Sequence, residues 1–77
     1  MPKYVLLDLN GRGLDKAEEI FRGRRFEAKC EGTTTYKGSR SPAYIFDLNR
    51  DIDSKTSALL SEEYRIIKPK ELNQIHL

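Results

Sequence analysis

Chemistry needs clusters of reactive side chains, and this 77-residue chain holds few residues from which to build one. His76 is the single imidazole and Cys30 the single thiol. A metal site asks for several such ligands, and Ser-His or Cys-His nucleophilic catalysis would need His76 together with an orienting third group that no pattern supplies. Cys30 has no second cysteine with which to close an intramolecular disulfide, as expected of a protein of the reducing cytosol. Asp47, Asn49, Asp51 and Asp53 alternate as calcium ligands do, but counted from Asp47 neither the glycine nor the bidentate glutamate of an EF-hand loop falls in place. Gly11-Arg12-Gly13 lacks the remainder of a dinucleotide or P-loop fingerprint. Glu18-Glu19 and Glu62-Glu63 are adjacent pairs, which point apart on a helix or a strand and do not converge on a substrate. We therefore expect no catalytic residue, no metal ligand and no cofactor, and a protein that is not an enzyme.

Charge is the more informative chemistry. The whole chain has 14 Lys and Arg against 12 Asp and Glu, a net +2. Residues 22–40 carry Arg22, Arg24, Arg25, Lys29, Lys37 and Arg40 against Glu27 and Glu31, so six minus two leaves +4 there. Residues 41–63 carry Arg50 and Lys55 against Asp47, Asp51, Asp53, Glu62 and Glu63, so two minus five leaves −3. The candidate binding surface is Arg22, Arg24, Arg25, Tyr36, Lys37 and Arg40. Such a surface can dock the acidic face of a protein partner, or hold phosphates while a tyrosine stacks a base. A third reading pairs these arginines internally with the acidic 41–63 block.

The elements that must position this surface are short. Tyr4 to Leu9 is apolar and β-prone, and Asn10-Gly11-Arg12-Gly13 behind it is a turn. Leu14, Ala17 and Phe21 recur at helical spacing after the capping pattern Asp15-Lys16-Ala17-Glu18 and before Gly23, which predicts one or two helical turns. From Arg25 to Glu31 apolar and charged residues alternate, the mark of a half-buried strand with Phe26, Ala28 and Cys30 inward. Thr33 to Tyr36 continues it, and Ala43 to Leu48 forms the next strand after a polar loop. Asn49 to Lys55 is an acidic connection, Thr56 to Leu60 reads as a short strand, Ser61-Glu62-Glu63 as a turn, and Tyr64 to Lys68 as a last strand.

This order resembles that of the SH3-like small barrels. The first strand Tyr4-Val5-Leu6-Leu7-Asp8-Leu9 precedes a long excursion, and Gly23-Arg24-Arg25-Phe26-Glu27-Ala28 resembles the glycine-led strand that follows the first loop of such barrels. Ala43-Tyr44-Ile45-Phe46-Asp47, Ser57-Ala58-Leu59-Leu60 and Arg65-Ile66-Ile67 would supply the later strands. The resemblance implies a mainly β fold, a barrel of five or six short antiparallel strands with one short helical segment. It departs from the peptide-binding members: the chain has no tryptophan, and its first loop mixes Arg12, Lys16 and Arg22 with Asp15, Glu18 and Glu19, which disfavours proline-rich ligands. The ending Leu59-Leu60-Ser61-Glu62-Glu63-Tyr64-Arg65-Ile66-Ile67-Lys68-Pro69 is similar to small accessory proteins of phages and prophages, which implies a regulator or inhibitor that acts by binding another macromolecule.

The expectation is one barrel domain over residues 1–70 with a short tail over 71–77, and a core including Tyr4, Leu6, Phe26, Ala28, Ile45, Leu59 and Ile66. Tyr4 to Leu7 is too short an apolar run for a membrane span or signal core, so a cytoplasmic protein with no membrane partner is expected. Its function would be non-catalytic binding of another protein, the alternative being single-stranded nucleic acid or RNA, and so small a core also favours homo-oligomers.

Overall fold

The computed structural model describes residues 2–35 and 38–67. Apolar Tyr4 to Leu7 form β1 (Lys3–Asp8), and the Leu14, Ala17, Phe21 stripe forms α1 (Gly13–Gly23). The alternating segment forms β2 (Ala28–Thr35), which a polar loop joins to β3 (Pro42–Leu48). Then come α2 (Ser54–Ser61) and β4 (Tyr64–Ile67).

The strands form one antiparallel sheet in the order β2-β3-β1-β4. Each helix follows one strand and precedes another that is not its neighbour in the sheet, which is the split β-α-β, or ferredoxin-like, arrangement. The mainly β character expected from sequence holds, but the closed barrel of five or six strands does not. The described residues make an open four-stranded sheet with two helices. The physical reason is that α1 and α2 bring their own apolar faces, Ala17 with Phe21 and Thr56 with Leu60, to cover one side of the sheet.

The segment read as a strand at Thr56 to Leu60 is α2. Thr56 and Leu60 are buried four positions apart while Leu59 is 41% exposed, a helical and not an alternating pattern. Its start is set locally: the Ser57 N–H donates to the Asp53 carbonyl at 2.9 Å, and the Thr56 hydroxyl donates to the Asp53 carboxylate. Leu59 therefore leaves the expected core. Tyr4, Leu6 and Phe26 are in it, and Ala28 and Ile66 pack half-buried against it.

The main core lies between sheet and helices, where Phe21 meets Phe26 and Phe46 with ring centroids 5.6 and 5.0 Å apart. β1 is apolar on both faces. Val5 and Leu7 point away from the helices and form a second buried cluster with Ala43 and Ile67, against which Ile45 packs. The 71–77 tail lies outside the described residues.

Candidate binding surface

The arginines cluster at the end of the sheet where α1 stops and β2 begins. Gly23 ends the helix, and the turn after it is a Schellman motif. The Phe26 N–H donates to the Phe21 carbonyl at 2.9 Å and the Arg25 N–H to the Arg22 carbonyl at 3.1 Å. The apolar contact that accompanies this motif is the Phe21–Phe26 ring pair. The residue in the left-handed region is Arg25, with φ of +62°.

The four arginines here divide into two pairs. Arg24 faces inward: its Nε donates to the Thr56 hydroxyl and its Nη2 to the Asp53 carboxylate, both at 3.3 Å, which ties the end of α1 to the start of α2. The Thr56 hydroxyl first, and then Arg24, hold the Asp53 carboxyl below its ordinary value. Arg50 sits with its guanidinium 3.7 Å from the Phe26 ring centroid and donates through Nη2 to the carbonyls of Arg24 (3.0 Å) and Arg25 (3.4 Å). Arg22 and Arg25 are exposed, and neither guanidinium has a hydrogen bond or ion pair among the described residues. The internal pairing of arginines with the acidic block is thus met by Arg24 alone.

The rest of the expected surface is not gathered here. Arg40 is exposed at the opposite end of the sheet, near the Thr35–Pro42 pair, and β2 spans about 26 Å between the two ends at ~3.3 Å per residue. Tyr36 and Lys37 lie outside the described residues. Arg50, which the sequence assigned to the acidic block, belongs to this end instead; its partner Phe26 is 24 positions away, and no local signal links them.

At the opposite end a buried carboxylate closes the β1–α1 loop. Asp8, 3% exposed, accepts the N–H groups of Arg12 (2.9 Å) and Gly13 (2.8 Å) and the Tyr44 hydroxyl (3.2 Å). It caps α1 from a distance, where the sequence pointed to Asp15 and Glu18. Two of the N–H groups at the start of α1 are therefore taken. The Tyr64 hydroxyl donates to the Gly13 carbonyl, Arg12 pairs with Glu63, and burial pushes Tyr64 up to about 12. Burial first, and then Asp8, also raise Tyr44.

Of the alternating Asp47, Asn49, Asp51 and Asp53, the last three are taken up separately, while Asp47 Oδ1 is buried with no hydrogen-bond partner among the described residues. Asn49 Oδ1 accepts the Glu27 N–H at 3.1 Å, Asp51 accepts the Tyr4 hydroxyl at 3.2 Å, and Asp53 holds Arg24. Among the described residues no three of His, Cys, Asp and Glu form a group that could hold a metal ion, and no helix is long and apolar enough to cross a membrane. Cys30 is half-buried with Sγ 3.5 Å from the Gly32 carbonyl. No protein family, no curated protein and no solved structure matches this chain.

Proposed function

We propose that this protein is a non-catalytic binding module that acts by contacting another protein, with the α1–β2 turn as its docking end. The carrying observation is the division of the arginines: Arg24 and Arg50 are tied by hydrogen bonds to the turn and its neighbours, while the exposed Arg22 and Arg25 have no counter-ion among the described residues. A braced turn presenting charged side chains loses little further order on binding, which favours affinity per contact. Regulation of a partner by occlusion in a reducing cytosol, in the manner of the small phage-type accessory proteins it resembles, suits such a module.

The nucleic-acid reading is weaker. Two free guanidiniums neutralise about two phosphates, and sequence-independent strand binding of useful strength rests on more contacts than that. The exposed Glu27, Asp51 and Asp53 near the same turn would also oppose a continuous phosphate track.

The test is a paired one. Fluorescence anisotropy with short single-stranded and duplex oligonucleotides at two salt concentrations should show no binding tighter than micromolar. Affinity capture from lysate should yield a stoichiometric protein partner that is lost on the double reversal Arg22→Glu/Arg25→Glu. Tight, steeply salt-dependent oligonucleotide binding that the reversal abolishes would replace this proposal with the nucleic-acid one. Arg24 is left unaltered, since its reversal would break the tie to Asp53 and confound folding with binding.

A further inference from the structure

Position 25 sets backbone preference against side-chain identity. The left-handed position of a Schellman turn is ordinarily occupied by glycine, because a Cβ is disfavoured there. This chain has its glycine two residues earlier, at Gly23 inside α1, and an arginine at the position with φ of +62°. The strained residue is held by its surroundings: two turn hydrogen bonds, the Phe21–Phe26 contact, and Arg50 on the carbonyls of Arg24 and Arg25. Strained positions held by their surroundings cluster where side chains serve a function, which makes the exposed Arg25 the candidate at this turn.

Resting on the binding-module reading, we infer that Arg25 is the anchor of the docking end and that it takes a carboxylate from an acidic segment of the partner protein, with Arg22 as the second cation. A guanidinium matches a carboxylate with two parallel hydrogen bonds, and its backbone is already fixed here, so its fork is presented in a limited set of directions. The Arg22 backbone is adjacent, since its carbonyl accepts the Arg25 N–H, and both residues are exposed. The exposed Glu27 and Asp51 disfavour an extended polyanion relative to a compact acidic segment, Asp53 being already paired with Arg24.

The experiment uses the full chain, ¹⁵N-labelled, titrated with an acetylated tetraglutamate peptide and separately with an oligothymidylate of equal charge. The peptide should produce saturable shifts confined to the amides of residues 22–27 and the arginine Nε signals. Arg25→Gly should raise Tm by about 4 °C, since glycine relieves the strain, while weakening peptide binding at least tenfold. Arg25→Lys should retain part of the binding. The opposed directions in Arg25→Gly separate a docking role from a structural one, because loss of fold would lower both. An Arg25→Gly variant that binds the peptide as wild type does overturns the anchor. So does the absence of shifts with the peptide, or a stronger response to oligothymidylate at the same residues. Peptide shifts confined to residues 38–41 would overturn the anchor while leaving the binding-module proposal in place.

Discussion

Arg50 is the residue that ties the α1–β2 turn, the proposed docking end, to the loop after β3. Replacing it with alanine removes a guanidinium from the Phe26 ring and two hydrogen bonds from the carbonyls of Arg24 and Arg25. A cation–π contact at an exposed site contributes ~0.5–1 kcal/mol. A charge-assisted hydrogen bond contributes about 1.5 kcal/mol or more when shielded, but residue 50 is exposed, and the 3.4 Å bond is long, so the pair is discounted to about 1 kcal/mol. The expected loss is therefore about 1.5–2 kcal/mol, which for a domain of this size lowers Tm by roughly 6–16 °C. Thermal unfolding followed by circular dichroism measures it. Amide exchange gives the local view: the N–H groups of Arg25 and Phe26, which close the turn, should exchange faster by a larger factor than amides in β1. Arg50→Lys keeps a cation near the ring but not the fork, and should lie between the two. A loss below ~0.5 kcal/mol, or uniform acceleration of exchange through the sheet, would refute the view that Arg50 holds the turn.

Further outcomes follow from other parts of the fold. Leu60→Ala should cost ~2–5 kcal/mol by opening the core, whereas Leu59→Ala should cost under about 0.5 kcal/mol; urea unfolding of the two compares a buried with an exposed helical neighbour. Asp8→Asn leaves one carbonyl oxygen where two carboxylate oxygens now serve three donors, and should cost about 2 kcal/mol by the same measurement. Asp53 is held below its ordinary 3.8, so its contribution is complete above that pH and is lost as pH falls through the folded-state value; Asp53→Asn should flatten acid unfolding there. Tyr64 is raised from 10.0 to about 12, so its contribution is present below pH 10 and lost as pH rises toward 12; Tyr4 and Tyr44 are raised too, and absorbance titration of phenolate should show the step near 12 in the wild type and not in Tyr64→Phe.

What the sequence made legible was whatever one element encodes by itself. The alternation from Arg25 to Glu31 marks β2 because it reports one face of one strand, even though the strand proper starts at Ala28. The spacing of Leu14, Ala17 and Phe21 marks α1 for the same reason, although it runs 11 residues and not one or two turns. α2 was misread because its short run with β-branched Thr56 has too few residues to show a period, although Ala58, Leu59 and Leu60 are good helix formers; the helix is set by Asp53 and by burial of Thr56 with Leu60. Barrel closure failed with it, since a second helix removes the need to close the sheet. At the candidate surface, Arg22, Arg24 and Arg25 were found as a charge block, but their separation into inward and outward roles depends on Asp53 and Arg50, each more than 20 residues away. Arg40 was grouped with them by sequence proximity, and β2 carries it to the far end.

The strand order also governs how the chain comes to be folded. Among the described residues β1 pairs with β3 and β4, and β2 with β3, so residues 2–35 have no sheet partner among them until Pro42 to Leu48 is available. A nascent chain leaving the ribosome carries both early strands unpaired, and α1, whose cap is the β1 residue Asp8, has little to pack against at that stage. Synthesis of β3 then supplies the pairing partner of both at once. Severed within the β2–β3 loop, the two halves would each be unfolded alone and would regain structure only on mixing.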